Sequence, residues 1–255
     1  MSRRDFIKTG GLGLLSAAVL GGASAVLSRD IVLASADNPG VRRKWRFVVD
    51  TTKCIGCGRC VRACKLENNL PPEPYHNRTW VERYVFGKND EVFVDSPEAG
   101  INGFTAEDIG ARYPGLDVLK TFFVPKLCNQ CAKPPCVPVC PVGATFMNPD
   151  GIVLIDRKAC IGCRYCIQAC PYGARFFDPR YRIVDKCTWC YHRITRGHPP
   201  ACVEVCPVGA RTFGDITDQD GTVSGQIESN TLGVLKPEVG SEPKVYYIGL
   251  EKGVR

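Results

Sequence analysis

The chain is poor in the groups most enzymes use for chemistry near neutral pH. Among its 255 residues are three histidines, His76, His192 and His198. None stands at metal-ligand spacing or beside a carboxylate constellation, so they read as surface or supporting residues. No nucleophile with an adjacent base can be picked out, which argues against a reactor. Long apolar runs are also missing beyond residue 36. The longest charge-free stretch, 134–149, carries five prolines and two cysteines, and that excludes a lipid-facing helix. A formal charge of +7 would suit an anionic partner. No interleaved aromatic and basic residues accompany it, so nucleic acid is not expected as a partner.

Cysteine, by contrast, is abundant. The 16 cysteines fall into four groups of four with none left over: Cys54, Cys57, Cys60, Cys64; Cys128, Cys131, Cys136, Cys140; Cys160, Cys163, Cys166, Cys170; and Cys187, Cys190, Cys202, Cys206. A disulfide framework would also be even-numbered, but such frameworks belong to much smaller secreted chains. Cysteines at two-residue intervals pair with one another only under strain. Structural zinc takes four thiolates per ion, usually from two separated CxxC knuckles. The run CxxCxxCxxxC is instead the one that holds an iron–sulfur cube. The expected cofactors are four [4Fe–4S] clusters, bound to iron through the same sixteen cysteines; a zinc-binding scaffold is the alternative from a different class. Four oxidised cubes with their ligands carry roughly −8 in total, so many of the basic residues offset that charge.

The stretch "VVDTTKCIGCGRCVRAC" (48–64) aligns without gaps on "LIDRKACIGCRYCIQAC" (154–170). Likewise "CNQCAKPPCVPVCPVGATF" (128–146) returns as "CTWCYHRITRGHPPACVEVCPVGARTF" (187–213). The chain is therefore a repeat of a two-motif unit. An apolar pair and an aspartate before Cys54 and Cys160 predict a short strand entering each loop. The x3 step to each fourth cysteine is nearly a helical turn, which carries that thiolate away from the first three. In two-cluster ferredoxins it ligates the neighbouring cube. Pro141, Pro171 and Pro207 end the turn. The gap between second and third cysteines varies as x2, x4, x2 and x11 and reads as a loop free to bulge outward. Spacing supports crossing of fourth cysteines but leaves open which motifs are partners.

These groups, with "CKLENN" (64–69), "RTWVERY" (78–84), "FVPKLCNQC" (123–131) and "HPPACVEVCPVGA" (198–210), resemble the four-cluster iron–sulfur subunits of the dimethyl-sulfoxide and polysulfide reductase type, NrfC-like proteins included. The resemblance covers most of residues 44–215. It implies that the first motif pairs with the fourth and the second with the third. One cluster then takes Cys54, Cys57, Cys60 and Cys206; a second takes Cys187, Cys190, Cys202 and Cys64. A third takes Cys128, Cys131, Cys136 and Cys170, and a fourth Cys160, Cys163, Cys166 and Cys140. Pairing of first with second and third with fourth remains the alternative.

The resemblance also implies a non-catalytic electron-transfer subunit. It would link a catalytic subunit of molybdopterin type to an NrfD-like, quinone-interacting membrane subunit, its own membrane contact coming mainly through that partner. An alternative is a relay in a respiratory complex without molybdenum, linked to cytochrome c, hydrogenase or sulfur metabolism. One departure is Lys65, where the other motifs have proline; it is either a solvated residue opening a loop or a cation raising a cluster potential. Trp189, inside the fourth motif, is either a shield for its cluster or ordinary packing.

Residues 1–36 read as an address. Arg3 and Arg4 in SRRDFIK resemble the twin-arginine export consensus, residues 10–27 are uncharged, and Ala34-Ser35-Ala36 offers a cleavage site. An uncleaved anchor is the other reading. Export of a folded protein suits clusters that must be built on reduced thiols, and implies the periplasm or the extracytoplasmic membrane face.

The expected class is α+β, two interlocked ferredoxin-like halves with loop insertions. Residues 37–85 with 181–255 form the half carrying motifs one and four, 123–180 the half carrying two and three, and 86–122 an insertion.

Overall fold

The structure, a computed structural model, describes residues 43–88, 91–105 and 107–254. The twin-arginine motif, the uncharged run and the cleavage site all lie outside these residues. Among the described residues no helix is long and apolar enough to cross a membrane.

The strands are short, and most of them lead into or out of a cysteine loop. The first, β1 (Trp45–Asp50), buries Phe47, Val48 and Val49 in succession, as expected of a strand covered on both faces. It leads to Cys54, and α1 (Arg59–Glu67) follows with Cys60 and Cys64 on its buried side. A three-stranded sheet comes next: β2 (Thr79–Gly87), β3 (Val92–Asp95) and, beyond α2 (Glu107–Arg112), β4 (Val118–Leu127), in the order β3-β2-β4. Strand β4 ends immediately before Cys128. The strands β2 and β4 run through positions 85/86 and 122/123, so the ends of the expected insertion fall inside regular strands.

Two hairpins flank the third motif. Strands β5 (Thr145–Met147) and β6 (Val153–Ile155) pair antiparallel, joining the exit from the second motif to the entry of the third. After α3 (Tyr165–Gln168), β7 (Arg175–Asp178) and β8 (Ile183–Lys186) join the exit of the third to the entry of the fourth. The fourth motif holds two single helical turns, α4 (Tyr191–Ile194) and α5 (Ala201–Glu204), and leaves through β9 (Arg211–Asp215). Strand β9 returns to pair antiparallel with β1, Val49 facing Arg211. That pairing closes the fourth motif onto the first.

The tail is structural. Beyond α6 (Thr222–Ser229), β10 (Leu232–Gly233) and β11 (Val245–Ile248) complete a four-stranded sheet in the order β10-β11-β1-β9, with β11 parallel to β1. Just before β11 the tail grips the second motif. The backbone N–H groups of Ala132 and Lys133 donate to Glu242 and Ser241 (2.8 and 3.0 Å), and Lys244 N–H donates to Asn129 O at 3.0 Å. The main core lies between these sheets, with Trp189 its largest fully buried side chain.

Candidate metal centres

The cysteine loops share a backbone device. The residue two places after each first cysteine is left-handed: Gly56 (φ 66°), Gln130 (φ 45°), Gly162 (φ 70°) and Trp189 (φ 54°). Such a residue reverses the backbone and turns successive N–H groups toward one point, as in anion-binding nests. The donors reach the sulfurs: Trp189 N–H approaches Cys187 Sγ at 3.4 Å and Thr145 N–H approaches Cys140 Sγ at 3.5 Å. After three of the fourth cysteines the sequence makes the same Cys-Pro-x-Gly turn. Gly143, Gly173 and Gly209 donate their N–H to the carbonyls of Cys140, Cys170 and Cys206 at 3.2, 3.4 and 3.4 Å.

Cysteines from distant motifs meet at three cavities. Cys54, Cys57, Cys60 and Cys206 line the first. Cys64, Cys187, Cys190 and Cys202 line the second. The third is lined by Cys128, Cys131, Cys136 and Cys170. The gaps between second and third cysteine are x2, x11 and x4 in the same order. Of the gap residues 191–201 only Pro200 lines the second cavity, so the extra length is carried outside it.

The remaining cysteines lie nearer the surface. Cys163 is exposed, Cys140 and Cys160 are half-buried, and Cys166 is buried. The β5–β6 hairpin sets the exit from Cys140 beside the entry to Cys160, and Val184 N–H donates to Cys160 Sγ at 3.5 Å. Ile161 and Tyr165 next to this group are exposed.

Burial raises the free thiols. It pushes Cys54 and Cys131 up to about 11 and Cys202 to about 12, and pushes Cys64 and Cys187 well above the ordinary thiol range. The hydrogen bond from Gly56 N–H and the charge of Arg211 oppose the rise at Cys54; a hydrogen bond from Ser241 opposes it at Cys131. At Cys140 burial acts upward too, but donors at Thr145, Val142 and Ala144 outweigh it and hold that thiol below its usual range. The sulfurs that burial raises become thiolates more readily where positive charge or hydrogen-bond donors join them.

The donor set and the cavity walls fit a polynuclear, acceptor-rich group. Each cavity offers four soft thiol ligands, suited to iron–sulfur clusters. Lining residues also carry buried polar atoms with no protein partner: Nη1 of Arg211, Nε of Arg78, Nε1 of Trp189 and the side-chain amide of Asn129. All but the amide oxygen are donors. Cluster sulfides are acceptors, which is the complement these donors require. Among the described residues no three His, Cys, Asp or Glu side chains converge as they do on a single ion.

The side chains singled out in the sequence fall as follows. Lys65 is half-exposed and belongs to the loop rather than to a cavity: its ammonium donates to the carbonyls of Pro71, Pro72 and Glu73 at 2.8, 3.3 and 2.8 Å and ties the loop after α1. Trp189 is both wall and core. It lines the second cavity while its ring packs on Phe213 (5.3 Å) and Phe47 (6.3 Å). His192 bonds Glu67 at 2.7 Å near the surface, the His76 ring packs at a tilt against Phe176, and His198 is exposed.

Sequence reasoning missed four contributors. Arg175 and Arg211 each follow a fourth cysteine by five residues, in "CPYGAR" and "CPVGAR", a repeat that was visible in the sequence. Ser241 had no such signal. Neither did the segment around residues 100–104, which covers the first loop. There Arg62 donates to Ile101 O and to Cys57 O (3.2 Å), while Phe104 packs on Phe123 at 5.1 Å.

Fold and site together define an iron–sulfur protein of the bacterial-ferredoxin kind. The 4Fe-4S dicluster domain signature matches twice, over residues 53–144 and 119–216, and the protein belongs to that family of iron–sulfur subunits. It is 38% identical, over 98% of its length and 89% of the relative's, to a subunit of the tetrathionate reductase of Salmonella typhimurium. It is 40% identical to a putative dimethyl sulfoxide reductase iron-sulfur subunit of Halobacterium salinarum, over 81% of its own length and 79% of that relative's. With a component of the polysulfide reductase of Wolinella succinogenes it shares 34% identity, over 83% of its own length and 97% of the relative's.

Proposed function

We propose that this protein is the electron-transfer subunit of a membrane-associated reductase and conducts electrons through four [4Fe–4S] clusters without catalysing the reaction itself. The first centre is assigned to Cys54, Cys57, Cys60 and Cys206, and the second to Cys64, Cys187, Cys190 and Cys202. The third is assigned to Cys128, Cys131, Cys136 and Cys170, and the fourth to Cys140, Cys160, Cys163 and Cys166. The carrying observation is the meeting of sulfurs from two motifs in each of three cavities. The β1–β9 and β5–β6 pairings support the same first-with-fourth and second-with-third interlock.

When bound, each cluster supplies a one-electron redox couple. The protein's own residues hold that couple at fixed positions and set the local field. The exposed Cys163 and its apolar neighbours make the fourth centre the point of exchange at one end of the series.

Three of the relatives are named for tetrathionate, dimethyl sulfoxide and polysulfide reductases. By that analogy the complex acts on sulfur–sulfur or sulfur–oxygen bonds. The catalytic subunit carries a molybdopterin cofactor, and an NrfD-like membrane subunit exchanges electrons with quinone. Residues 1–36 direct the protein to the extracytoplasmic side through the twin-arginine route.

Anaerobic purification with iron and acid-labile sulfide assays tests the reading. The expected result is about sixteen irons per chain and a visible absorption that dithionite bleaches. Zinc without that absorption would establish a scaffold instead, and loaded protein that never co-purifies with membrane components would establish a free carrier.

A further inference from the structure

Six cations are buried among the described residues: Arg78, Arg83, Lys126, Arg175, Lys186 and Arg211. Three have a carboxylate partner. Arg78 meets Asp185, Arg83 meets Asp95 and Lys126 meets Glu82 at 2.8, 2.6 and 2.6 Å. Among the described residues the other three form no ion pair with a carboxylate, although Arg211 is 2%, Lys186 0% and Arg175 5% exposed. An unpaired buried charge is strongly unfavourable, so the counter-charge of these three lies elsewhere.

Their positions identify it. Arg211 lines the first cavity and donates from Nη2 to Thr79 Oγ1 at 2.8 Å, and Thr79 lines the second. Lys186 donates from Nζ to the carbonyl of Cys187, in the second cavity, at 2.9 Å. It also donates to the carbonyl of Val153, in the wall of the third. Gln130 bridges the same two peptide segments, to Cys187 O at 2.9 Å and from Val153 N at 2.7 Å. Arg175 lines the third cavity and donates from Nη2 to Cys136 Sγ at 2.9 Å. Its Nη1 reaches Thr145 Oγ1 at 3.3 Å, and Thr145 N–H donates to Cys140 of the fourth centre at 3.5 Å. One carboxylate-free cation therefore stands at each of the three junctions between neighbouring centres.

We infer that Arg211, Lys186 and Arg175 are junction cations, each setting the reduction potentials of the two centres it separates. This deepens the electron-relay reading and rests on it. An electron on a centre adds negative charge, and a cation in the shared wall favours that electron on either side. The same charge offsets the repulsion between neighbouring anionic centres, so one residue adjusts two potentials together. These are positioning and tuning residues; none of them exchanges electrons.

The test is EPR-monitored redox titration of the full, cluster-loaded complex carrying Arg211→Met, Lys186→Met or Arg175→Met. Each variant is expected to lower the reduction equilibrium constants of its two flanking centres at least tenfold, about 59 mV for a one-electron couple. Centres not flanking the substituted cation should stay unmoved. Arg211→Lys, Arg175→Lys and Lys186→Arg should keep both flanking potentials near those of the unaltered protein. If a methionine variant loads iron poorly, the corresponding glutamine variant, which retains hydrogen-bond donors, carries the same comparison. A fully loaded neutral variant with unmoved potentials overturns the inference and leaves the relay reading intact, as does a shift confined to one centre or spread equally over all four. Failure of the unaltered protein to show iron–sulfur signals overturns the relay reading first.

Discussion

Gly58 isolates how one centre is kept closed. Its φ is +69°, and a Cβ there would lie 2.2 Å from the carbonyl oxygen of Gly100 and 2.5 Å from that of Ile101. Both atoms are backbone, so no side-chain rotation relieves the overlap. Gly58→Ala therefore carries two penalties. The left-handed conformation costs an L-residue roughly 1–2 kcal/mol. Restoring van der Waals contact also requires the 100–101 segment to retreat by roughly 1 Å, an overpacking cost of about 1–3 kcal/mol. The retreat loosens the bonds from Arg62 to Ile101 O and Cys57 O that hold this segment over the first loop.

With a sum near 3 kcal/mol, and tenfold in an equilibrium for every 1.4 kcal/mol, local opening rises on the order of a hundredfold. Gly209→Ala is the matched control. It lies in the turn after Cys206, of the same centre, with φ +61°, but an added Cβ meets nothing within 4 Å. It carries only the conformational penalty, on the order of a tenfold effect. The assay is anaerobic iron loss to a chelator, resolved by centre through EPR spin quantification. Gly58→Ala should release iron from the first centre about ten times faster than Gly209→Ala, with the other three centres unchanged. Equal rates for the two variants, or parallel loss from all four centres, would refute the argument that residues 100–101 seal the loop.

Two further outcomes test the assignments. Cys206→Ser should damage the centre held with Cys54, Cys57 and Cys60 and spare the one held with Cys187, Cys190 and Cys202; an EPR change confined to the latter contradicts the crossed ligation. Replacing Arg3 and Arg4 together with lysine should leave the loaded protein in the cytoplasm, and unchanged export in a fractionation assay removes the twin-arginine argument.

Legibility in the sequence tracked how local each feature is. The four cysteine groups and the strands before Cys54 and Cys160 follow from patterns within a few residues, and β1 and β6 stand where the apolar pairs placed them. What escaped depends on long-range closure. Ser241 reaches Cys131 only because β11 lies beside β1 and brings the tail across the second motif. Residues 100–104 reach the first loop only because the β2–β4 sheet folds the expected insertion back over it. Lys65 could not be read because its partners are carbonyls, which leave no side-chain signature.

The unequal gaps between second and third cysteines show what the architecture holds constant. The extra-long gap contains α4 and reaches α1 of the first motif through His192 and Arg193, each bonded to Glu67 at 2.7 Å. Arg193 also bonds Glu204, just before the fourth cysteine of its own motif. The long gap is thus a strap from the fourth motif to the helix that presents Cys60 and Cys64, reinforcing the interlock that β9 makes with β1. In the second motif, where β4 enters beside β2 and the tail already clamps residues 129–133, four residues suffice. Loop length answers to how each motif is fastened, whereas the three-residue step to the fourth cysteine cannot vary: a single added residue would rotate that sulfur by about 100° around its helical turn and out of the neighbouring cavity.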